Sequence, residues 1–529
     1  MSKLKTSTQN PKLHKFVRSW GGTIVVGALI LFVAFFLRFY HLTYLPIFGD
    51  EAIYIRWAQV MRAEPTLRFL PLSDGKQPLF MWLIIPFFKV FSDSLFSGRL
   101  VSVLAGMGTL VGIFSISYYL FESRKAALIA SLMYAISPFS VFFDRMALVD
   151  SLLTMFGVWT LFFGIVTAKT LRLDYAMVSG FALGGALLTK SPATFFALLL
   201  PITWIYSKWP SDSKKRVVYL IKLSSLLLVT YLIAYGMYNI LRLGPNFQML
   251  VIRNGDYIYP LTHIFERPLD PLLPFLDRTL EWIWILGPST IVILGLTGIL
   301  LNAKRFPKNA IVLFSWFFIP ILVQSEFAKV FTARYILFTF PPFLILAAAC
   351  LLGKRFKYVL TVLVIVFIFH ALLIDNLLLT DVEKAPLPRS ERSGYLEEWT
   401  SGYGIAEVAE LIRDQYMREP DKKIVVGTEG YFGTLPDGLQ IYLNDIREIT
   451  VIGVGLGISE PPIQLKEAKN AGDKTYLVVN SDRFIGELEG GGFKLLAAYP
   501  KAVRPDGSRE TLLFFEVLEE VSGAKKDVK

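Results

Sequence analysis

Apolar stretches long enough to cross a lipid bilayer recur along most of this chain, and alternate connections between them are strongly basic. Runs of spanning length lie near residues 22–40, 99–120, 125–142, 151–168, 175–190, 192–208, 217–240, 282–301, 310–325, 334–352 and 358–375. About eleven transmembrane helices follow. A further apolar run, PLFMWLIIPFFKVF at 78–91, has 14 residues. As a helix it reaches only about 21 Å, short of a hydrocarbon core of roughly 30 Å. It is expected to lie along the membrane surface.

Charge orients the bundle. With 78–91 left out of the count, the segments FESRKAA, AKTLRLD, SKWPSDSKKR, NAKRFPKN and GKRFK share a side with the N-terminal tail, which carries Lys3, Lys5, Lys12, Lys15 and Arg18. Together they hold 19 Lys/Arg against 3 acids, and the rest of the chain holds 35 against 40. The positive-inside rule makes that basic side cytoplasmic. No small-residue cleavage site follows the first span, so it reads as a signal anchor. The expectation is an integral plasma-membrane protein with a cytoplasmic N-terminus. The net charge of +11 would otherwise suggest nucleic acid, but its basic residues sit between spans, and no nucleic-acid partner is expected. The single Cys350 excludes a disulfide framework or a cysteine metal site, and the four histidines form no metal-ligand pair by spacing.

Composition divides the chain into a membrane domain (1–379), a Pro/Gly/charge-rich linker (380–404) and a C-terminal domain (405–529). In the last, a helical pattern (GIAEVAELIRDQYM) precedes short β-rich runs (KIVVG, EITVIGV, TYLVVN, FKLLAAY, TLLFFEV). That is a small α/β domain, outside the membrane on the outer face by parity. GTEGYFGTLPDG within it lacks a phosphate-loop pattern and reads as a strand-to-helix turn.

The spans carry few ionisable residues, which weakens the alternative of a transporter or flippase of lipid-linked sugars. Acids and bases collect instead in the outer connections. Just past the first span, LPIFGDEAIYIRWAQVM places Asp50 and Glu51 side by side at the start of an amphipathic helix. No nucleotide sugar is available outside the cytoplasm, so a transferase there needs a lipid-linked donor. Displacing a phosphate needs cations to neutralise the leaving group and a carboxylate to take the acceptor's proton. Asp50 and Glu51 can supply the acid. Lys76, Arg145, Lys190, Arg253, Arg267 and Arg334 can supply the clamp. Adjacent acids can also hold a divalent metal, whose other ligands the sequence leaves open.

These segments resemble a family. FGDEAIYIRWAQ is similar to the Asp-Glu motif of GT-C glycosyltransferases, nearest the protein O-mannosyltransferases and the aminoarabinose–lipid A transferases. DGKQPLFMWL resembles the Lys-x-Pro segment of that group, SGRLVSVLAG its Arg-Leu span opening, and RMALVDSLL its second acidic motif. LLTKSPA is similar to its Thr-Lys-Gly-Pro turn, with Ser191 in place of Gly, and ARYILFTFPP to its Arg-Tyr-to-Pro span. The motifs occur in the family's order over roughly residues 20–350.

The resemblance implies an inverting transferase that uses a polyprenyl-phosphate sugar and a protein, lipid or glycan acceptor. It implies Asp50 as the catalytic carboxylate, Lys76 as a contact to the donor phosphate and Asp150 as a second acid bordering the cavity; Glu51 is a further candidate acid by its place beside Asp50. Lys76, Arg145, Arg253 and Arg334 are candidates for the donor phosphate. Tyr54 and His263 are candidate substrate contacts. Ile53 stands where the aminoarabinose subgroup tends to have Arg, with Arg56 one turn on as the nearest substitute. Each residue also has a plainer role open to it. Asp50 and Asp150 can cap helices, Arg145 and Arg334 can reach headgroups from span ends, and His263 can be structural.

Overall fold

The computed structural model describes residues 11–353 and 356–518. Lys3, Lys5, Lys354 and Arg355 of the basic segments lie outside the described residues, as do the side chains of Lys12, Lys15 and Arg18.

Among the described residues, seven helices are long and apolar enough to cross a membrane: Ser19–Phe39, Ser94–Phe121, Val149–Thr170, Ser213–Leu243, Pro307–Phe327, Ala333–Leu352 and Lys357–Thr380. Two further pairs qualify only if each bent pair is one span. Arg124–Ala135 and Pro138–Asp144 meet at 57°, and Leu272–Leu286 and Ser289–Arg305 meet at 112°. Leu173–Thr189 and Ser191–Tyr206 are shorter apolar helices. The segment at 78–91 forms the short helix Leu79–Ile84 and a 3-10 turn, Ile85–Lys89, in keeping with its length.

Packing separates central from peripheral helices. Ala333–Leu352 and Val149–Thr170 are mostly enclosed, whereas Ser213–Leu243 and Lys357–Thr380 present Leu228, Leu232, Val359 and Phe369 outward. An exposed apolar face of this extent fits contact with lipid. The basic connections gather at one end of the bundle. There Asn309 donates to the Leu120 carbonyl at 2.9 Å, and the Lys169 ammonium sits over the Tyr119 and Tyr206 rings. The Asp50 helix (Gly49–Ala63) and the C-terminal domain lie at the other end.

The C-terminal domain holds six strands: β1 (Ile424–Thr428), β2 (Ile449–Gly453), β3 (Lys474–Asn480), β4 (Glu489–Gly490), β5 (Phe493–Pro500) and β6 (Thr511–Val517). Their order is β2-β1-β3-β6-β5-β4, with β1 parallel to β2 and β3 and the remaining pairs antiparallel. Strand alternation sorts the core. Leu477 and Val479 pack with Leu465 and Phe515 on one face, while Tyr476 and Val478 join a cluster continuous with the membrane domain. The sheet is therefore docked through one face. The contact runs through helix Thr434–Leu443, which lies against the Asp50 helix. Gln59 donates to the Ile441 carbonyl at 3.0 Å, and Arg56 bonds the Asn444 side chain.

Of the segment 380–404 read from composition as a linker, Thr380 ends the last membrane helix and residues 381–404 form an ordered strap. Glu397 is fully buried between Arg389 and Arg392. Tyr395 is buried against Phe48 and Phe142, with ring centroids at 4.3 and 5.1 Å. Charges that suggested solvent exposure pair instead, with Glu397 buried beneath the two partly exposed arginines.

Candidate active site

Asp50 opens its helix. Phe48 is extended, and the Glu51 carboxylate accepts the Phe48 N–H at 3.0 Å, which fixes the helix start. The position before Asp50 is tight: a Cβ on Gly49 would come within 2.8 Å of the Thr434 hydroxyl, which would have to move. Lys76 follows Gly75, whose φ of 66° turns the chain back toward the same place.

These residues converge on one cavity, lined by Asp50, Tyr54, Lys76, Gln77, Met81, Val149, Thr189, Lys190, Arg334 and Tyr335. The Arg334 guanidinium donates to Asp50 Oδ2 at 2.5 Å. The Lys190 ammonium donates to Asp150 Oδ1 at 2.7 Å and rests 3.9 Å from the centre of the Tyr335 ring. Asp150 Oδ2 is buried with no hydrogen-bond partner among the described residues. Lys76 stands 5.5 Å over the Tyr257 ring and has no carboxylate within salt-bridge distance among the described residues. Two ion pairs thus leave one cation over. Gln77 donates to the Ser191 hydroxyl at 2.9 Å, a bond that glycine at 191 would lack.

Burial by itself would raise the Asp50 pKa, but Arg334, Lys76 and Lys190 outweigh it and hold the carboxyl below its usual range. The Tyr54 hydroxyl is pushed up by burial and by Asp50. Tyr54 and Asp50 hold the Lys76 ammonium above its usual range, against the opposing effect of burial. At neutral pH an ionised carboxylate therefore faces a charged ammonium across a buried space.

Six residues singled out from the sequence lie elsewhere. Glu51 turns away from Asp50 and is fully buried, its two oxygens gripped by Arg99 at 2.8 Å each, with the Ala147 N–H on Oε1 at 2.6 Å. The two adjacent acids therefore share no site. Among the described residues no group of three His, Cys, Asp or Glu is placed to hold a metal. Arg145 is buried and donates to the Leu37, Tyr40 and His41 carbonyls, so it caps the first span. Arg253 pairs with Asp74 and Asp256 beside Tyr257, one layer behind Lys76. His263 bonds the Asp270 carbonyl at 2.8 Å and stacks on Tyr259, away from the cavity. Arg267 pairs with Asp270 in the same connection. Arg56 faces the C-terminal domain and does not replace the missing arginine at 53.

The sequence reading overlooked Gln77, Thr189 and Tyr335, although each sits inside a quoted motif. It also overlooked Glu391, a buried acid of the strap that accepts the Ala333 N–H at 3.0 Å, next to Arg334.

A family model described as dolichyl-phosphate-mannose-protein mannosyltransferase matches residues 75–235, a stretch that contains Lys76, Asp150 and Lys190. No curated protein sequence matches the chain. Among solved structures, ArnT from Cupriavidus metallidurans in the apo state superposes with a TM-score of 0.61 and 14% identity, covering 94% of this chain and 98% of that one. The same protein bound to undecaprenyl phosphate gives 0.55 at 14% identity over the same shares. At that identity the likeness is one of fold, and it includes the small C-terminal domain. The chain is a polytopic integral membrane protein of the GT-C glycosyltransferase fold, similar over residues 75–235 to the dolichyl-phosphate-mannose-protein mannosyltransferases.

Proposed function

We propose that this protein transfers a sugar, with inversion, from a polyprenyl-phosphate donor to an acceptor hydroxyl on the outer face of the membrane. The observation that carries the reading is the charge balance of the cavity: two ion pairs, Arg334–Asp50 and Lys190–Asp150, and one unmatched ammonium, Lys76. A phosphodiester bears one negative charge, and Lys76 supplies its counter-ion. The undecaprenyl phosphate held by the ArnT structure supports this donor class.

In the reaction the acceptor oxygen attacks the anomeric carbon as the bond from that carbon to the phosphate oxygen breaks. The leaving phosphate keeps the electron pair, stabilised by Lys76, and Asp50 takes the acceptor's proton. A single displacement of this kind inverts the anomeric centre. No step calls on a metal. The outer-face assignment rests on the basic connections at the end opposite Asp50.

The test uses full-length protein in lipid nanodiscs with a panel of polyprenyl-phosphate sugars and cell-envelope extract as acceptor source. Wild type is expected to release polyprenyl phosphate, and folded Asp50→Asn protein is not. No release with any donor would reject the reading.

A further inference from the structure

The strap holds both partners of the Asp50–Arg334 pair by the residue that precedes each. The Gly49 N–H donates to the Thr400 carbonyl at 3.0 Å, and the Ala333 N–H donates to Glu391 Oε1 at 3.0 Å. Further bonds keep this stretch rigid on either side. Gly402 N–H bonds the Ile47 carbonyl at 2.8 Å, and the Ser390 hydroxyl lies 3.2 Å from the same Glu391 oxygen. The strap is also fastened to the C-terminal domain between those two contacts. Ala502 N–H bonds the Leu396 carbonyl at 3.1 Å, and the Lys501 ammonium bonds the Glu398 carbonyl at 3.0 Å.

We infer that Glu391 is a positioning residue for the transfer: its carboxylate fixes the backbone at Ala333 so that Arg334 meets Asp50, while Thr400 fixes the other half of the pair. Glu391 is 2% exposed and lies outside the cavity. It touches neither donor nor acceptor, and it acts only through Arg334. An ordinary buried acid would need only a partner. This one bonds the N–H beside the cation that pairs with Asp50, from a segment that also bonds the N–H beside Asp50. The C-terminal domain is thereby joined mechanically to the ion pair without contributing a group to the cavity.

The inference rests on the proposed transfer reaction, and the experiment separates the two. Full-length Glu391→Ala, Glu391→Gln and Glu391→Asp proteins are compared with wild type in nanodiscs, with polyprenyl-phosphate release followed across pH. Glu391→Ala is expected to lower kcat about tenfold to a hundredfold, the scale of a small misplacement of a catalytic group, and to leave the donor KM nearly unchanged. The acid limb of kcat/KM should move up in pH, because Asp50 loses part of its Arg334 contact and keeps Lys76, Lys190, Tyr54 and Tyr335 as neighbours. Glu391→Gln retains an acceptor oxygen for the Ala333 N–H and should restore both rate and limb. Glu391→Asp falls short of Ala333 and should move the limb in the same direction.

A Glu391→Asp variant with wild-type kcat and an unmoved limb overturns the assignment, as does a Gln variant as impaired as Ala. Amide exchange gives a readout that does not need turnover. Peptides covering Gly49 and Ala333 should exchange faster in Glu391→Ala or Glu391→Asp and at the wild-type rate in Glu391→Gln. If wild type releases no polyprenyl phosphate, the transfer reading fails, and exchange alone decides the strap's role. Unchanged exchange in both the Ala and Asp variants would reject it.

Discussion

Arg334 and Asp50 are 284 positions apart in the chain and 2.5 Å apart in the fold. The contact brings the last group of membrane helices to the start of the helix that follows the first one. With the strap behind it, the pair is defined from both sides.

The Asp50 carboxyl is held below its usual range, since burial, which raises its pKa, is outweighed by Arg334, Lys76 and Lys190. A depressed carboxyl stays charged from neutral pH down through the ordinary aspartate range. The rate in wild type should therefore be flat over that span and fall only below it. Asp50→Asn should reduce turnover by about a hundredfold or more, as loss of a general base does. A full pH–rate profile of both proteins checks this; a wild-type acid limb near pH 6 would assign it to another group.

Glu51 and Arg99 form a fully buried bidentate pair. Removing one partner leaves the other charged and unmatched in the interior, which typically costs about 3–5 kcal/mol. Glu51→Ala and Arg99→Ala should lower thermal stability in detergent sharply, and activity should be lost only in proportion to folded protein. A Glu51→Ala protein with wild-type melting and no turnover would return Glu51 to the chemistry.

Lys76→Ala should weaken donor binding more than it slows a saturated enzyme. Loss of a charged hydrogen bond to phosphate is worth about 2 kcal/mol, or roughly thirtyfold in KM. Initial rates over a donor titration separate the two effects, and a variant with wild-type kcat and wild-type donor KM would contradict the role given to Lys76.

Asp437 sits in the docking helix with its carboxyl pushed up to about 6 by burial, despite the Gly433 N–H and the nearby Arg56, both of which lower it. A carboxyl raised on folding binds its proton more tightly in the native state. Stability from this group is fully present below the unfolded value near 4, and it is lost as pH rises to about 6. Asp437→Asn keeps an oxygen for the Gly433 N–H and removes the charge. It should stabilise the protein at pH 7.5 by at most about 3 kcal/mol, with the gain vanishing near pH 4. Melting temperatures of the two proteins at both pH values settle the sign.

Much of this architecture could be read from residues alone, because spans, basic connections and strand runs are local patterns. Ile424–Thr428, Ile449–Gly453 and Lys474–Asn480 fall on the quoted β runs, and helix Ile405–Arg418 on its periodic segment. Asp50, Lys76 and Arg334, which line one cavity, each lie in an ordered motif. Glu51 was misread because its partner is 48 positions away, and two neighbouring acids look alike until one is buried. Arg145 was misread for the same reason, as a cation at a span end resembles a phosphate ligand when its carbonyl partners are unseen. The order of the strap was not legible because Arg389, Arg392 and Glu397 each advertise solvent, and only their pairing, which buries Glu397 beneath two partly exposed arginines, shows otherwise. The sharp bend between Leu286 and Ser289 leaves no periodic signature.

The Asp50–Arg334 bond has a consequence for the leaving lipid. A sugar phosphodiester arrives with one negative charge, but the phosphate monoester that departs carries about −1.5 to −2 at neutral pH. One lysine matches the first and not the second. In the proposed reaction, Asp50 would lose its charge on accepting the acceptor's proton, and Arg334, 2.5 Å away, would be released as a second cation at the moment the phosphate gains its second charge. Under the proposed mechanism the ion pair would serve as a charge reservoir that opens only on reaction and would keep the resting cavity from favouring product over substrate. Asp50→Asn mimics the opened state. In nanodiscs it should bind polyprenyl phosphate more tightly than wild type does, turning the catalytic defect into a product trap.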